Sequence, residues 1–163
     1  MKLIPVESED RILETEKLAA EIWNEAYGKL LGQAQVDYML EKFQSAPAMR
    51  RQMQEEGYMY RLIYSNDKPK GYMAWKLEPE KLFLSKLYLL ASARGLGLAA
   101  EAFAFLEEEG RRQGKKAMYL TVNRGNDRAV AAYKKNGFVT VRTQVADIGG
   151  GFVMDDFIME KAL

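Results

Sequence analysis

The segment Arg94-Gly95-Leu96-Gly97-Leu98-Ala99 puts a cation, two glycines and a small residue where a strand-like run gives way to a helical one. Glycines there let successive backbone N–H groups converge, and a helix start adds unpaired donors and its positive end. That chemistry suits a phosphate, with Arg94 as a charge-assisted contact. A strand-to-helix turn without a ligand has the same local spacing. The segment is not a P-loop, because no Gly-Lys-Ser/Thr follows, and its glycine spacing does not fit the dinucleotide fingerprint. A second group comprises Asn123, Asn126, Ala129, Tyr133 and Asn136-Gly137-Phe138. Asn126, Ala129 and Tyr133 lie three and four residues apart and so share one helix face. Asn126 is placed to cap that helix. Tyr133 is either a core aromatic or a phenol acid facing the cradle.

Composition narrows the chemistry further. The 163 residues include no histidine and no cysteine. Disulfides, thiolate metal sites and the usual base of a Ser or Cys nucleophile are therefore excluded, and no metal site is expected. Carboxylates, Tyr, Lys, Arg, hydroxyls, backbone and water remain. Twenty-four Lys and Arg against 23 Asp and Glu give a formal net charge of +1, so no global field favours nucleic acid or an anionic membrane. The apolar stretch Leu87–Ala91 falls far short of the roughly 20 residues that span a bilayer, and Met1–Pro5 opens a strand pattern without a signal segment. The expectation is one soluble, cytoplasmic domain over residues 1–163, since a domain takes about 100–200 residues.

Several elements must position these groups. Lys2–Val6 reads as a short strand, and Ser8 caps a helical pattern that the Gly28 to Gly32 stretch should break. A second helical pattern runs from about Gln35 to Gly57. Tyr58–Tyr64, Tyr72–Leu77 and Leu82–Leu90 read as an antiparallel meander, with turn residues at Ser65–Pro69 and at Glu78-Pro79. A helix over Gly97–Gln113 follows, stopped with the help of Gly110 and Gly114. Ala117–Val122 is a buried strand, Asn126–Lys135 a short helix ended by Asn136-Gly137, and Phe138–Val145 with Phe152–Met159 two closing strands. The order β-α-α-β-β-β-α-β-α-β-β describes a mixed, mostly antiparallel α/β (α+β) sheet of six to seven strands flanked by about four helices. Its one parallel step joins Leu82–Leu90 to Ala117–Val122 by a right-handed crossover, and ligands gather outside the carboxyl ends of such strands. That places the site around residues 86–99 and 122–137.

Both groups, in this order and on these elements, resemble the GNAT superfamily of acetyl-CoA-dependent N-acetyltransferases over nearly the whole chain. Arg94-Gly95-Leu96-Gly97-Leu98-Ala99 matches the family's Arg/Gln-x-x-Gly-x-Gly/Ala signature, which binds the cofactor pyrophosphate. Lys86-Leu87-Tyr88-Leu89 looks like the strand whose backbone holds the pantetheine arm, which implies cofactor contacts at Leu87, Tyr88 and Leu89. Asn126-x-x-Ala129-x-x-x-Tyr133-x-x-Asn136-Gly137-Phe138 looks like the later motif. It implies that Tyr133 protonates the departing CoA thiolate and that Asn126 contacts the cofactor. Residues Gly151–Lys161 have the look of the last strand. One departure is the stretch Leu90-Ala91-Ser92-Ala93, which lacks the proline that often precedes the arginine and so loses loop stiffness.

The resemblance implies direct attack of a neutral amine on the thioester in a ternary complex, without an acyl-enzyme. A backbone N–H of Leu87 or Leu89 would meet the oxyanion. Candidates for the base are Glu21, Glu25, Glu78 and either Asp155 or Asp156, which strand alternation sends to opposite faces; ordered water is a further candidate. Lys134 and Lys135 are candidates for a CoA phosphate. In such proteins the acceptor site is built from the first two helices, their connection and the final hairpin, here Trp23, Tyr27, the 28–34 connection and residues near Ile148–Phe152. Aromatics with nearby carboxylates suit a small amine or polyamine over a protein amine. The alternative is a CoA-binding sensor without acetyl transfer. Monomer and homodimer both stay open.

Overall fold

The structure is a computed structural model that describes residues 1–163. Seven strands and five α-helices follow one another along the chain: β1 (Lys2–Pro5), α1 (Glu9–Leu31), α2 (Gln33–Phe43), α3 (Ala46–Glu55), β2 (Met59–Ser65), β3 (Lys68–Leu77), β4 (Lys81–Leu89), α4 (Leu98–Arg112), β5 (Ala117–Asn123), α5 (Asp127–Lys135), β6 (Val139–Gly149) and β7 (Phe152–Ala162). The sheet order is β1-β2-β3-β4-β5-β7-β6. β1–β2, β2–β3, β5–β7 and β6–β7 pair antiparallel, and β4–β5 is the parallel step. The mixed, mostly antiparallel sheet is the one expected. Two compact units divide the chain, Met1–Lys76 with Lys86–Ala99 and Leu77–Ser85 with Ala100–Leu163.

The first unit folds its helices around an apolar stripe. Ser8 caps α1 by accepting from the Arg11 N–H, and Ile12, Leu18, Ala19, Ile22 and Trp23 on its inner face are buried. Gly28 does not break this helix, because a single glycine costs only about 1 kcal/mol amid good helix formers. The helix ends at Gly32, whose φ of +84° suits glycine and whose N–H donates to the Gly28 carbonyl. One residue thus joins α1 to α2, so the loop expected over 28–34 is absent. The second helical pattern is two helices rather than one. Gln44 closes α2, and Ser45 caps α3 from the Ala48 N–H with Pro47 in its first turn, a proline position that starts a helix and cannot continue one.

The second unit packs α4 and α5 with β5 and the long β6–β7 hairpin, around a core that includes Leu82, Leu106, Met118, Leu120, Phe138 and Met159. Gly110 lies inside α4 rather than stopping it. A Cβ there would stand 2.5 Å from Leu163 Cδ1, so a larger residue would have to displace the tip of that side chain. The helix stops after Arg112, and Gly114 follows with φ +72°.

Candidate active site

The glycine segment lies on the expected elements. After β4, the Leu90 N–H donates to the Lys70 carbonyl, and residues Ala91–Ala93 make one 3-10 turn closed by Ala93 N–H to the Leu90 carbonyl. Glu25 of α1 accepts from the Ala91 N–H at 2.5 Å. This tie holds the turn at a point where the chain has no proline. Gly95 and Gly97 then take φ of +76° and +78°, a region disfavoured for residues with a Cβ, and α4 starts at Leu98. Nothing lies within 4 Å of a Cβ built on either glycine, so both are required by conformation and not by crowding. The first N–H groups of a helix have no intrahelical partners, which makes the start of α4 a place that could hold a phosphate group. Arg94 is half-buried, Leu96 is 64% exposed and Leu98 is anchored in the core. Ala99 is half-buried in the first turn of α4.

β4 itself departs from a regular central strand. Its parallel ladder with β5 covers only Lys81–Phe83 against Ala117–Tyr119, and the strand continues through Leu89 beyond that ladder. On the β3 side, a Cβ on Gly71 would stand 2.3 Å from the Tyr88 carbonyl oxygen and 2.6 Å from Leu89 Cδ2. Gly71 thus sets how closely β3 approaches the segment Leu87–Leu89. The sequence reading missed it, and a glycine inside an otherwise β-rich run is the signal that could have found it.

Trp23, Tyr27 and Tyr88 come together in the first unit. Trp23 stacks at a tilt on Tyr27 with centroids 4.5 Å apart and meets Tyr88 edge-on at 5.3 Å, while Tyr27 and Tyr88 stand at 87°. Trp23 is only 3% exposed and forms the floor of the group, whereas Tyr27 and Tyr88 are half-buried. Tyr72 packs against Tyr88 at 5.4 Å and donates to Gln44 Oε1. Lys86, which the sequence reading treated only as the start of a strand motif, is buried beside them. Its ammonium donates to the Phe43 carbonyl, Gln52 Oε1 and Tyr60 Oη. Burial pushes its pKa down to about 7. Alternation along β4 was the available signal, because Lys86 shares a face with buried Leu82 and Leu84.

The second unit holds the tyrosine motif. Asn123 ends β5, and its side chain accepts from the Gly125 N–H. Asn126 caps α5 by accepting from the Ala129 N–H at 3.3 Å. Tyr133 is half-buried, with its ring edge-on to Phe103 at 5.8 Å and to Phe138 at 5.9 Å. Asn136 and Gly137 end the helix: Gly137 has φ +94°, Phe138 N–H donates to the Tyr133 carbonyl, and Lys161 of β7 donates to the Asn136 carbonyl. The motif therefore fixes the backbone on both sides of Tyr133. Lys134 and Lys135 are exposed in the last turn.

The acidic candidates separate clearly. Glu25 holds the Ala91 N–H, and Glu78 accepts from the Tyr119 hydroxyl at 2.7 Å. Glu21 is exposed, and exposed Asp155 pairs with Arg124 at 3.7 Å. Asp156 is 9% exposed, and no protein group donates to its Oδ1. Burial, with Asp155 adding like charge, pushes its carboxyl up to about 6.

The sequence profile of the Acetyltransferase (GNAT) family matches residues 17–138. The chain belongs to that family. This GNAT protein is accordingly an N-acetyltransferase with acetyl-CoA as acetyl donor. It is 23% identical over 171 residues to an uncharacterised N-acetyltransferase from the pepI 3′ region of Lactobacillus delbrueckii subsp. lactis, covering 100% of this chain and 98% of that one. Its fold is similar to that of the PaiA N-acetyltransferase of Thermoplasma acidophilum, solved with coenzyme A, at a TM-score of 0.79, 21% identity and 100% coverage of both chains. A GCN5-related N-acetyltransferase structure from Rhodopseudomonas palustris superposes at a TM-score of 0.82 with 14% identity, over 99% of this chain and 95% of that one. No helix of the GNAT protein is long and apolar enough to cross a membrane.

Proposed function

We propose that the protein acetylates a primary amine, a small-molecule amine or polyamine in preference to a protein amine, by direct attack on bound acetyl-CoA, with its two units acting as one catalytic domain. In this reading the backbone N–H groups of Gly95 to Ala99 bind the pyrophosphate at the start of α4, and Arg94 adds a charged contact. The backbone of Leu87, Tyr88 and Leu89 holds the pantetheine arm, and an N–H of Leu87 or Leu89 meets the developing oxyanion. Tyr133 donates its phenolic proton to the leaving thiolate. Asn126, besides capping α5, contacts the cofactor.

The observation that carries a transferase over a binding-only module is Tyr133 itself. Its ring is gripped at the edge by Phe103 and Phe138, and its backbone is fixed by the cap before it and the turn after it. An immobilised phenol is the group that thiolate protonation needs. The half-buried faces of Tyr27 and Tyr88, with Trp23 beneath them, support an acceptor that carries a cation.

Calorimetric titration with CoA and acetyl-CoA, followed on the same sample by thiol release across a panel of amines, tests this reading. Binding with release identifies the acceptor class. Binding without release throughout the panel favours a sensor, and the absence of binding to folded protein overturns the proposal.

A further inference from the structure

We propose that Asp156 is the general base that takes the proton from the incoming ammonium group. The inference rests on the acetyl-transfer reading above and adds the residue that makes the amine nucleophilic.

Asp156 lies on β7 between Asn123 of β5 and Gln144 of β6, its partners in the two flanking ladders. Asn123 is the last residue of β5, and the chain turns there into α5 and Tyr133: the Asn126 N–H donates to the Asn123 carbonyl. Asp156 and the start of the tyrosine motif therefore share the carboxyl end of β5, a member of the parallel pair, and ligands of mixed sheets collect at such ends. Asp156 is 9% exposed and its Oδ1 receives no hydrogen bond from the protein, a costly arrangement for a carboxylate that calls for a functional account. Its cross-strand partners are neutral. The charged groups around it are Asp155, which is tied to Arg124, Arg124 itself, whose guanidinium also lies 5.3 Å from the Phe157 ring centroid, and exposed Arg142 of β6, whose register partner on β7 is Ile158. None of these neutralises Asp156, and burial with the Asp155 charge lifts its carboxyl to about 6, closer to the working pH of a base than an ordinary aspartate. Glu25 and Glu78 each already accept from another group.

The step balances as follows. The acceptor arrives as an ammonium, and the Asp156 carboxylate removes one proton to give a neutral amine and a carboxylic acid. The nitrogen lone pair forms the C–N bond at the thioester carbonyl, the C–S bond breaks and its electron pair leaves on sulfur. Tyr133 protonates the thiolate, and its phenolate recovers a proton from the acylated nitrogen. Asp156 returns its proton to solvent, so one proton is released per turnover.

The test follows kcat/KM from pH 5 to 9 for wild type and Asp156→Asn, with the fastest acceptor among n-butylamine, spermidine and a short peptide with a free N-terminus. Wild type is expected to rise to a plateau with an apparent pKa near 6. The variant is expected to bind acetyl-CoA normally, to be about 100-fold slower at neutral pH, and to keep climbing about tenfold per pH unit because it must wait for free amine. A variant with the wild-type rate and profile overturns the assignment. If the variant fails to fold, the wild-type profile decides alone: a plateau supports a base, and a climb through pH 9 without one overturns it. A wild type that acetylates no amine brings down the transfer reading and this one with it, whereas normal transfer by the variant removes Asp156 only.

Discussion

The Glu25 carboxylate on α1 accepts a hydrogen bond of 2.5 Å from the backbone N–H of Ala91, 66 residues further along the chain. The bond pins the 3-10 turn immediately before Arg94-Gly95-Leu96-Gly97, where a proline would otherwise have restricted the backbone. An acidic residue that looks like a candidate base thus holds the turn before the loop to which the proposed function assigns the cofactor.

Glu25→Ala is expected to weaken acetyl-CoA binding by about three- to tenfold, the equivalent of roughly 1 kcal/mol for one exposed charge-assisted hydrogen bond. Turnover at saturating acetyl-CoA should stay within about twofold, because loop order and not proton transfer is lost. Titration calorimetry and saturation kinetics read the two separately. A collapse of kcat with unchanged affinity would return Glu25 to the list of bases.

Gly97 and Gly71 are expected to fail differently when substituted. Gly97 has φ +78° with nothing within 4 Å of a Cβ, so Gly97→Ala strains the loop by about 1–2 kcal/mol without a packing clash. The folded variant should lose more than about tenfold in acetyl-CoA affinity as the loop amides turn away. At Gly71 the obstacle is the Tyr88 carbonyl, 2.3 Å from a Cβ, so Gly71→Ala should lower stability by about 1–3 kcal/mol as β3 and β4 part. Thermal melts and calorimetry on both variants separate a conformational lesion from a steric one.

Tyr133→Phe removes one oxygen and keeps both edge-on ring contacts, with Phe103 and Phe138. Melting temperature and CoA affinity should change little, and kcat should fall by more than about tenfold where chemistry limits the rate. Unchanged turnover under that condition would leave Tyr133 a packing residue.

The legible parts of this site are those written in consecutive residues. The strand, glycine turn and helix over 81–112 and the capped helix carrying Tyr133 depend on local signals, namely glycine φ, an asparagine cap and helical spacing. Glu25 against Ala91, Gly71 against Tyr88 and Lys86 beneath Tyr60 depend on contacts between distant segments, which no local pattern records. The same holds for the helices. Gly28 is a helix breaker only if nothing holds its neighbours, and here Trp23 and Tyr27 pack that end of α1 against Tyr88. The junction at Gln44 and Ser45 was readable from the capping serine and Pro47, but the apolar spacing continued across it and masked it.

Lys86 sets a pH dependence of stability. Burial lowers its folded pKa from 10.5 to about 7, so between pH 7 and 10 the unfolded chain binds more protons at this residue than the native one. Stability must therefore rise with pH across that window, by at most about 1.4 kcal/mol per pH unit, and show no slope from this group below it. Tyr60 and Tyr72 stay protonated in both states up to about pH 9; above it the unfolded phenols begin to ionise while burial keeps the native ones protonated, which opposes the Lys86 slope at the top of the window. Lys86→Met should abolish the slope and remain folded. Gln52 Nε2 still donates to the Phe43 carbonyl, and the Tyr60 hydroxyl still donates to Gln52 Oε1, so the atoms that lose the ammonium keep a partner. Urea unfolding of both proteins at pH 6, 7, 8 and 9 measures the difference. Equal slopes in the two proteins would mean that the native fold admits water to Lys86 and leaves its ammonium charged throughout.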